Sequence, residues 1–263
     1  MTERPILKTV TEKALLKMPA LYVWLSLRRK HVDKNKLVFL SFISKGQVVL
    51  DVGANFGFYT RLFSNIVGPE GKVIAFEPVQ AAIVRFLVIT RARNNIELVC
   101  KGLGASESRT KIYIPAGDLG QSSLARHAGG SWKSPEDVRE EEILVTTLDK
   151  FVEKEPIKRI DFVKVDIEGG EAEFLYGAEN SLKRFKPLVY TEVNHGWLRD
   201  FGESPLTVAE RFSQLGYCFV YEPRVMDKSF RLVQVKLSEQ TNGDFLFATS
   251  PCSITNRQVF HCL

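Results

Sequence analysis

A chain of 263 residues with 44% hydrophobic and 25% charged side chains has enough apolar surface for one large core, which excludes a disordered or low-complexity protein and accommodates an undivided α/β domain. The net charge of +5 is mild, and its cations are interleaved with carboxylates, which excludes a polycationic tail. Cys100, Cys218, Cys252 and Cys262 form no CxxC pair, which excludes a zinc-finger site, and Cys100 and Cys218 stand in apolar runs that read as buried strands with reduced thiols.

In chain order, residues 1–45 read as an N-terminal helical extension. The run from Leu15 to Lys30, apolar with a basic end at Arg28, Arg29 and Lys30, is expected to pack on the domain as a helix. It lacks the layout of a secretory signal, and nothing approaches the ~20 apolar residues of a membrane span, so the expected location is cytoplasmic.

Residues 46–250 read as the main domain and 251–263 as a tail. Short β-branched runs at Val48–Asp51, Lys72–Phe76, Ile96–Cys100, Phe162–Val165, Leu188–Val193, Tyr217–Tyr221 and Phe245–Thr249 are the expected strands. Helices are expected at Tyr59–Ile66, Ala81–Ala92, Glu171–Phe185 and Thr207–Leu215. This alternation is the pattern of βαβ units in a parallel sheet. Two stretches interrupt it. Ala116 to Val138, rich in Gly, Ser, His and charge, is a long polar loop of the kind that covers or lines a site. Glu222 to Asn242 is an excursion in which Phe230, Leu232, Val233, Val235 and Leu237 suggest an extended strand.

The first strand runs into Asp51-Val52-Gly53-Ala54-Asn55-Phe56-Gly57, an acidic strand end followed by a glycine turn and a helix. Such a turn lets a ligand approach the backbone and the free amides of a helix start. Its Gly-x-x-x-Gly spacing is neither the dinucleotide fingerprint nor a P-loop. Alone, it is equally an ordinary turn capped by Asp51. An acidic strand end suits a cationic ligand better than a phosphate, and S-adenosylmethionine carries both an ammonium and a sulfonium. Glu77, in Phe76-Glu77-Pro78 at the end of the second strand, is placed to accept hydrogen bonds from ribose hydroxyls, so Asp51 and Glu77 would bracket one ligand.

The second dense stretch is Asp161 to Glu171, with Lys164, Asp166 and Glu168. Alternation puts Lys164 and Asp166 on one side of the strand, where they could form a salt bridge. Asp166, Glu168 and His195, the last in a loop after the strand Leu188–Val193, are candidates for orienting an acceptor and taking its proton. With Glu192 they could also hold a divalent metal, although their spacing fits no metal motif.

These pieces together resemble the FkbM family of methyltransferases. The resemblance rests on Asp51-Val52-Gly53-Ala54-Asn55 with Gly57, Tyr59 and Thr60; Phe76-Glu77-Pro78; Asn95 to Gly104; Ser122-Ser123-Leu124; Val145 to Asp149; and Phe162 to Glu171. It implies a Rossmann-like class I methyltransferase sheet, mostly parallel with an antiparallel last strand and helices on both faces. It further implies S-adenosylmethionine as donor and O-methylation of a sugar, lipid-linked or natural-product hydroxyl. Carried over residue by residue, Asp51, Gly53, Asn55, Gly57 and Glu77 would bind the cofactor and Asp166 and Glu168 would sit beside the transferable methyl; Ala54, Tyr59 and Thr60 join the expected cofactor site, and Lys164 and His195 the catalytic candidates. The alternatives are an RNA or protein N-methyltransferase, for which the usual Asn/Asp-Pro-Pro-aromatic signature is missing, and a noncatalytic cofactor-binding protein, against which the retained acids argue.

Overall fold

The computed structural model describes residues 19–28, 33–128, 132, 138–227 and 229–252. Helices α1 (Pro19–Ser26) and α2 (Lys34–Phe42) lead into β1 (Val48–Val52), α3 (Phe58–Val67), β2 (Lys72–Phe76), α4 (Gln80–Thr90) and β3 (Ile96–Val99). Then come β4 (Gly102–Leu103), β5 (Ser108–Pro115), β6 (Val138–Thr146), α5 (Leu148–Lys154), β7 (Phe162–Val165), α6 (Glu171–Gly177) and α7 (Glu179–Phe185). The chain continues through β8 (Leu188–Asn194), α8 (His195–Asp200), α9 (Pro205–Gln214), β9 (Phe219–Met226), β10 (Ser229–Gln234) and β11 (Asn242–Ala248).

Eight strands form one sheet in the order β10-β9-β11-β8-β7-β1-β2-β3. β1, β2, β3, β7 and β8 pair in parallel, whereas β11 runs antiparallel to both β8 and β9. This is the Rossmann-like class I methyltransferase sheet, with its reversed last strand. β1 beyond Val48 and the whole of β7 are buried because the sheet is covered on both faces, and each strand is apolar apart from one charged residue, Asp51 or Lys164. Leu50, Val52, Phe76, Val163 and Val165 pack towards Phe174, Leu175 and Phe212 on one face. Val49, Val73 and Phe162 pack towards Phe39 and Phe63 on the other, where α1 contributes Tyr22 and Val23. The remainder of the Leu15–Lys30 run, Leu15–Met18 and Arg29–Lys30, lies outside the described residues, as do residues 253–263 of the tail.

Several expectations change. Cys100 and Cys218 are exposed, each one position before or after its strand rather than inside it. The expected single helix Glu171–Phe185 is two helices meeting at Ala178. The break has two causes: Gly177 lies so close to Gly104 that a Cβ would come 2.0 Å from its carbonyl oxygen, and the Asp149 carboxylate accepts the N–H groups of Asn180 and Ser181, giving α7 its own N-terminal partner. β4, β5 and β6, which the alternation does not foretell, make a second three-stranded sheet. The excursion after Glu222 is extended, as expected: β9 and β10 form an antiparallel hairpin at the sheet edge.

Candidate active site

At the carboxyl ends of β1, β2 and β7, where open α/β sheets bind ligands, a cleft of about 680 Å³ is lined by Gly53, Asn55, Glu77, Gly120, Ser123 and Asp166 among others. Its far wall comes from the connection between β5 and β6, the polar stretch from Ala116. The 3₁₀ turn Leu119–Gln121 lies over Asn55, so close that a Cβ on Gly120 would come 3.2 Å from Asn55 Nδ2. The expected site-lining loop is therefore present; residues 129–131 and 133–137 of it lie outside the described residues.

Glu77 is 5% exposed and folds back under the glycine turn. Its Oε2 accepts the Asn55 N–H at 2.8 Å and its Oε1 accepts the Val79 N–H at 2.9 Å. Each oxygen keeps a second lone pair for a ligand hydroxyl. Burial pushes its carboxyl up to about 7 despite the two amides.

Asp51 behaves differently from the expectation. Its carboxylate, 0% exposed, does not line the cleft. Residue alternation turns Asp51 to the α3 face of the sheet, and parallel pairing sets it beside Lys164 on β7. Thr60 donates its hydroxyl proton to Asp51 Oδ2, and Lys164 Nζ lies 3.5 Å from Oδ1 and 3.2 Å from Asp166 Oδ2. The same ammonium donates to the Gly53 carbonyl at 3.3 Å. Burial raises the Asp51 carboxyl, with Lys164 and Thr60 opposing it. Burial pulls Lys164 down, but Asp166 and Asp51 outweigh it and hold the ammonium above its usual range. Lys164, expected among the catalytic candidates, is a buried counter-ion tying two strand ends and the turn together.

The glycines also serve the protein first. A Cβ on Gly53 would come 1.9 Å from the Asp166 carbonyl oxygen, and one on Gly57 would meet the Phe86 ring at 2.6 Å. Both have positive φ. Ala54 is buried against Ala75 and Phe86, and Tyr59 packs edge-on to Phe39 at 5.1 Å. Of the eight cofactor candidates, Gly53, Asn55 and Glu77 face the cleft, while Asp51, Ala54, Gly57, Tyr59 and Thr60 support the turn from below.

Beyond Asp166 the chain turns sharply, with Glu168 at φ 55°. One carboxylate oxygen each from Asp166, Glu168 and Glu192 lies within 4.8 Å of the others. Glu168 is 9% exposed and its Oε2 has no hydrogen-bond partner. Burial, then the charges of Asp166 and Glu192, push its carboxyl up to about 10, and burial with Asp166 and Asp244 pushes Glu192 up to about 7. The Glu168 carbonyl accepts the Ser123 hydroxyl at 2.8 Å and the His127 Nε2–H at 2.9 Å. His127 is completely buried, with Nδ1 2.8 Å from Asp200 Oδ2 and its ring stacked on Trp197. Sequence reasoning missed this clamp. Its only local sign was a histidine in a polar loop, and Asp200 is 73 residues away.

His195 starts α8 rather than lying in a loop. Its N–H and its Nδ1 both lie 3.0 Å from Asn242 Oδ1. That oxygen can only accept, so Nδ1 carries the proton and Nε2 keeps its lone pair.

A carboxyl whose pKa is raised by folding contributes stability that is full below its unfolded pKa of 4.5 and is lost as pH rises towards the folded value. For Glu168 the window therefore runs from 4.5 to about 10. Glu168→Gln is expected to raise the melting temperature of the ligand-free protein by roughly 4 °C at pH 8 and by much less at pH 5. Thermal melts at the two pH values check this.

Residues 51–219 match the family model described as the Methyltransferase FkbM domain, well over half of the chain. The chain belongs to the FkbM methyltransferase family. Among similar proteins, methyltransferase sdnD of Sordaria araneosa is 26% identical over 158 residues, covering 50% of this chain and 60% of sdnD. Methyltransferase 1 of Beauveria bassiana is 26% identical over 146 residues, covering 50% of this chain and 58% of that protein. The matches therefore span about three-fifths of these relatives' own length. A solved FkbM methyltransferase from Methylobacillus flagellatus superposes with a TM-score of 0.46 at 14% identity, covering 86% of this chain and 58% of that one.

The cofactor of this FkbM domain is S-adenosylmethionine, and the cleft suits it. Asn55 Oδ1 is buried there without a partner, Glu77 offers two acceptor lone pairs below it, and Phe76, Leu103 and Ile143 supply an apolar wall for a purine.

Proposed function

We propose that the protein is an O-methyltransferase acting on a hydroxyl of a sugar, lipid-linked or natural-product acceptor. The observation that carries this reading is the convergence of Asp166, Glu168 and Glu192 at the edge of the cofactor cleft, with Asp166 belonging to both. When bound, S-adenosylmethionine supplies an electrophilic methyl group on a sulfonium, and the protein's task is to align the acceptor and remove its proton.

Glu77 and Asn55 hold the nucleoside end of the cleft. Asp166, braced by Lys164 at 3.2 Å, orients the acceptor hydroxyl and takes its proton. Glu168, with its carboxyl pushed up to about 10, stays protonated and donates a hydrogen bond to an acceptor oxygen. Glu192 and the free Nε2 of His195 form a second rank of proton acceptors on the β8 side. A divalent metal held by the three carboxylates would acidify the same hydroxyl. An edge built from Asp166, Glu168 and Glu192 is poorly suited to a phosphate backbone, which weighs against an RNA substrate.

The test is a labelled-methyl transfer screen over hydroxylated metabolites, sugars, lipids and RNA, followed by Asp166→Asn on the best acceptor. Turnover is expected to fall about 100-fold, with S-adenosylhomocysteine affinity preserved within a few-fold. Unchanged turnover would move proton removal to Glu192 or His195, and preferential methylation of RNA would overturn the acceptor class.

A further inference from the structure

Helix α4 carries apolar side chains on both its buried and its outer side, the outer side being interrupted by Arg85. Ala82, Ile83, Phe86 and Thr90 are buried against the sheet, yet Val84, Leu87 and Val88 on the opposite side are 57%, 57% and 63% exposed. Their i, i+3, i+4 spacing makes one continuous stripe. A continuous stripe of outward-facing apolar side chains marks an interaction surface. A further aromatic, Phe58 at the start of α3, is 67% exposed. Gly57 before it is pressed against Phe86 and Thr90, the Phe58 ring meets Phe56 edge-on at 6.4 Å, and the Arg85 guanidinium lies 4.8 Å over the Phe56 ring.

The charge near the stripe is mostly positive, the Glu141 carboxylate at the start of α4 being an exception. Arg61, Arg85, Arg91 and Arg93 surround the stripe, and α3 and α4 contain no acidic residue. Among the described residues, none of these four arginines forms an ion pair. Arg61 stands near enough to Arg93 to depress its pKa, second to burial.

We propose that this face, the outer side of α4 with the start of α3, docks on an anionic lipid surface. Exposed aliphatic and aromatic side chains ringed by arginines combine the two attractions that interfacial binding requires, apolar insertion and attraction to anionic headgroups. A second copy of the chain is the poorer occupant, because a two-fold contact would press the arginines of one patch against those of the other. The face also adjoins the cleft: Val79, the N-cap of α4, and Asn55, next to Phe56, both line it.

The experiment is co-flotation of the full-length protein with vesicles of equal parts phosphatidylglycerol and phosphatidylcholine, and with vesicles of phosphatidylcholine alone. Wild type is expected to float with the anionic vesicles and to be released as salt is raised from about 0.1 M to about 1 M. The triple variant Val84→Ser, Leu87→Ser, Val88→Ser is expected to lose about tenfold or more of its partitioning. Because all three side chains are exposed, its melting temperature should match wild type. Arg85→Ser with Arg91→Ser is a second, independent variant, expected to weaken anionic binding several-fold. Absence of wild-type flotation, or equal flotation of the triple variant, would overturn the proposal. So would light scattering that shows a wild-type dimer broken by the triple variant, which would assign the face to self-association.

Discussion

Replacing Glu77 with alanine is expected to weaken S-adenosylhomocysteine binding about 100-fold, measured by isothermal titration calorimetry. The carboxylate is 5% exposed and already accepts the amides of Asn55 and Val79. It therefore fixes the floor of the cleft and leaves its remaining lone pairs to receive ribose hydroxyls in the proposed complex. Alanine removes both contributions at once. Glu77→Gln keeps one acceptor oxygen and the packing, so its loss should be nearer tenfold, and melting curves of both variants separate binding from folding. Hydroxyl donors favour the ionised carboxylate, and burial has pushed Glu77 up to about 7. Wild-type affinity should therefore rise as pH passes from 6 to 8, a slope that Glu77→Gln flattens. The sign for ligand-free stability is opposite: Glu77's contribution is full below 4.5 and is lost as pH rises through about 7. An affinity independent of pH would move ribose recognition away from Glu77.

The second large effect concerns Lys164. Replacing it with methionine is expected to cost about 3–5 kcal/mol in urea unfolding, because Asp51, 0% exposed, would be left with no cation. Adding Asp51→Asn should recover much of this loss, since asparagine can still accept the Thr60 hydroxyl proton without carrying a buried charge. A residue acting only at the reacting atoms would give the reverse result, with turnover lost and unfolding unchanged. Lys164 is thus the residue whose assignment shifts most between sequence and structure.

Its case shows what can be read along the chain and what cannot. Alternation within one strand correctly pairs Lys164 with Asp166, a relation of two residues. That Lys164 also faces Asp51 depends on the register of β1 against β7, which joins positions more than a hundred residues apart. The strands of the main sheet were legible because both faces are buried and the runs are largely apolar. β5 and β6 were not, because their outward positions carry Arg109, Lys111, Glu140 and Glu142, which read as a charged loop until they are seen facing one another across the pair. The turn from Asp51 to Gly57 was found by its glycines, and the members that line the cleft, Gly53 and Asn55, were among those named. The reason the glycines are required lay elsewhere, in the close passage of Asp166 and Phe86.

One oxygen atom, the carbonyl of Glu168, is grasped by Ser123 and His127 of the β5–β6 connection, while His127 is anchored in turn on Asp200. This makes the connection an exchangeable cassette with fixed fasteners. A graft that brings in a different loop to change acceptor choice must carry a serine and a histidine at these two places and find an Asp200 to receive them.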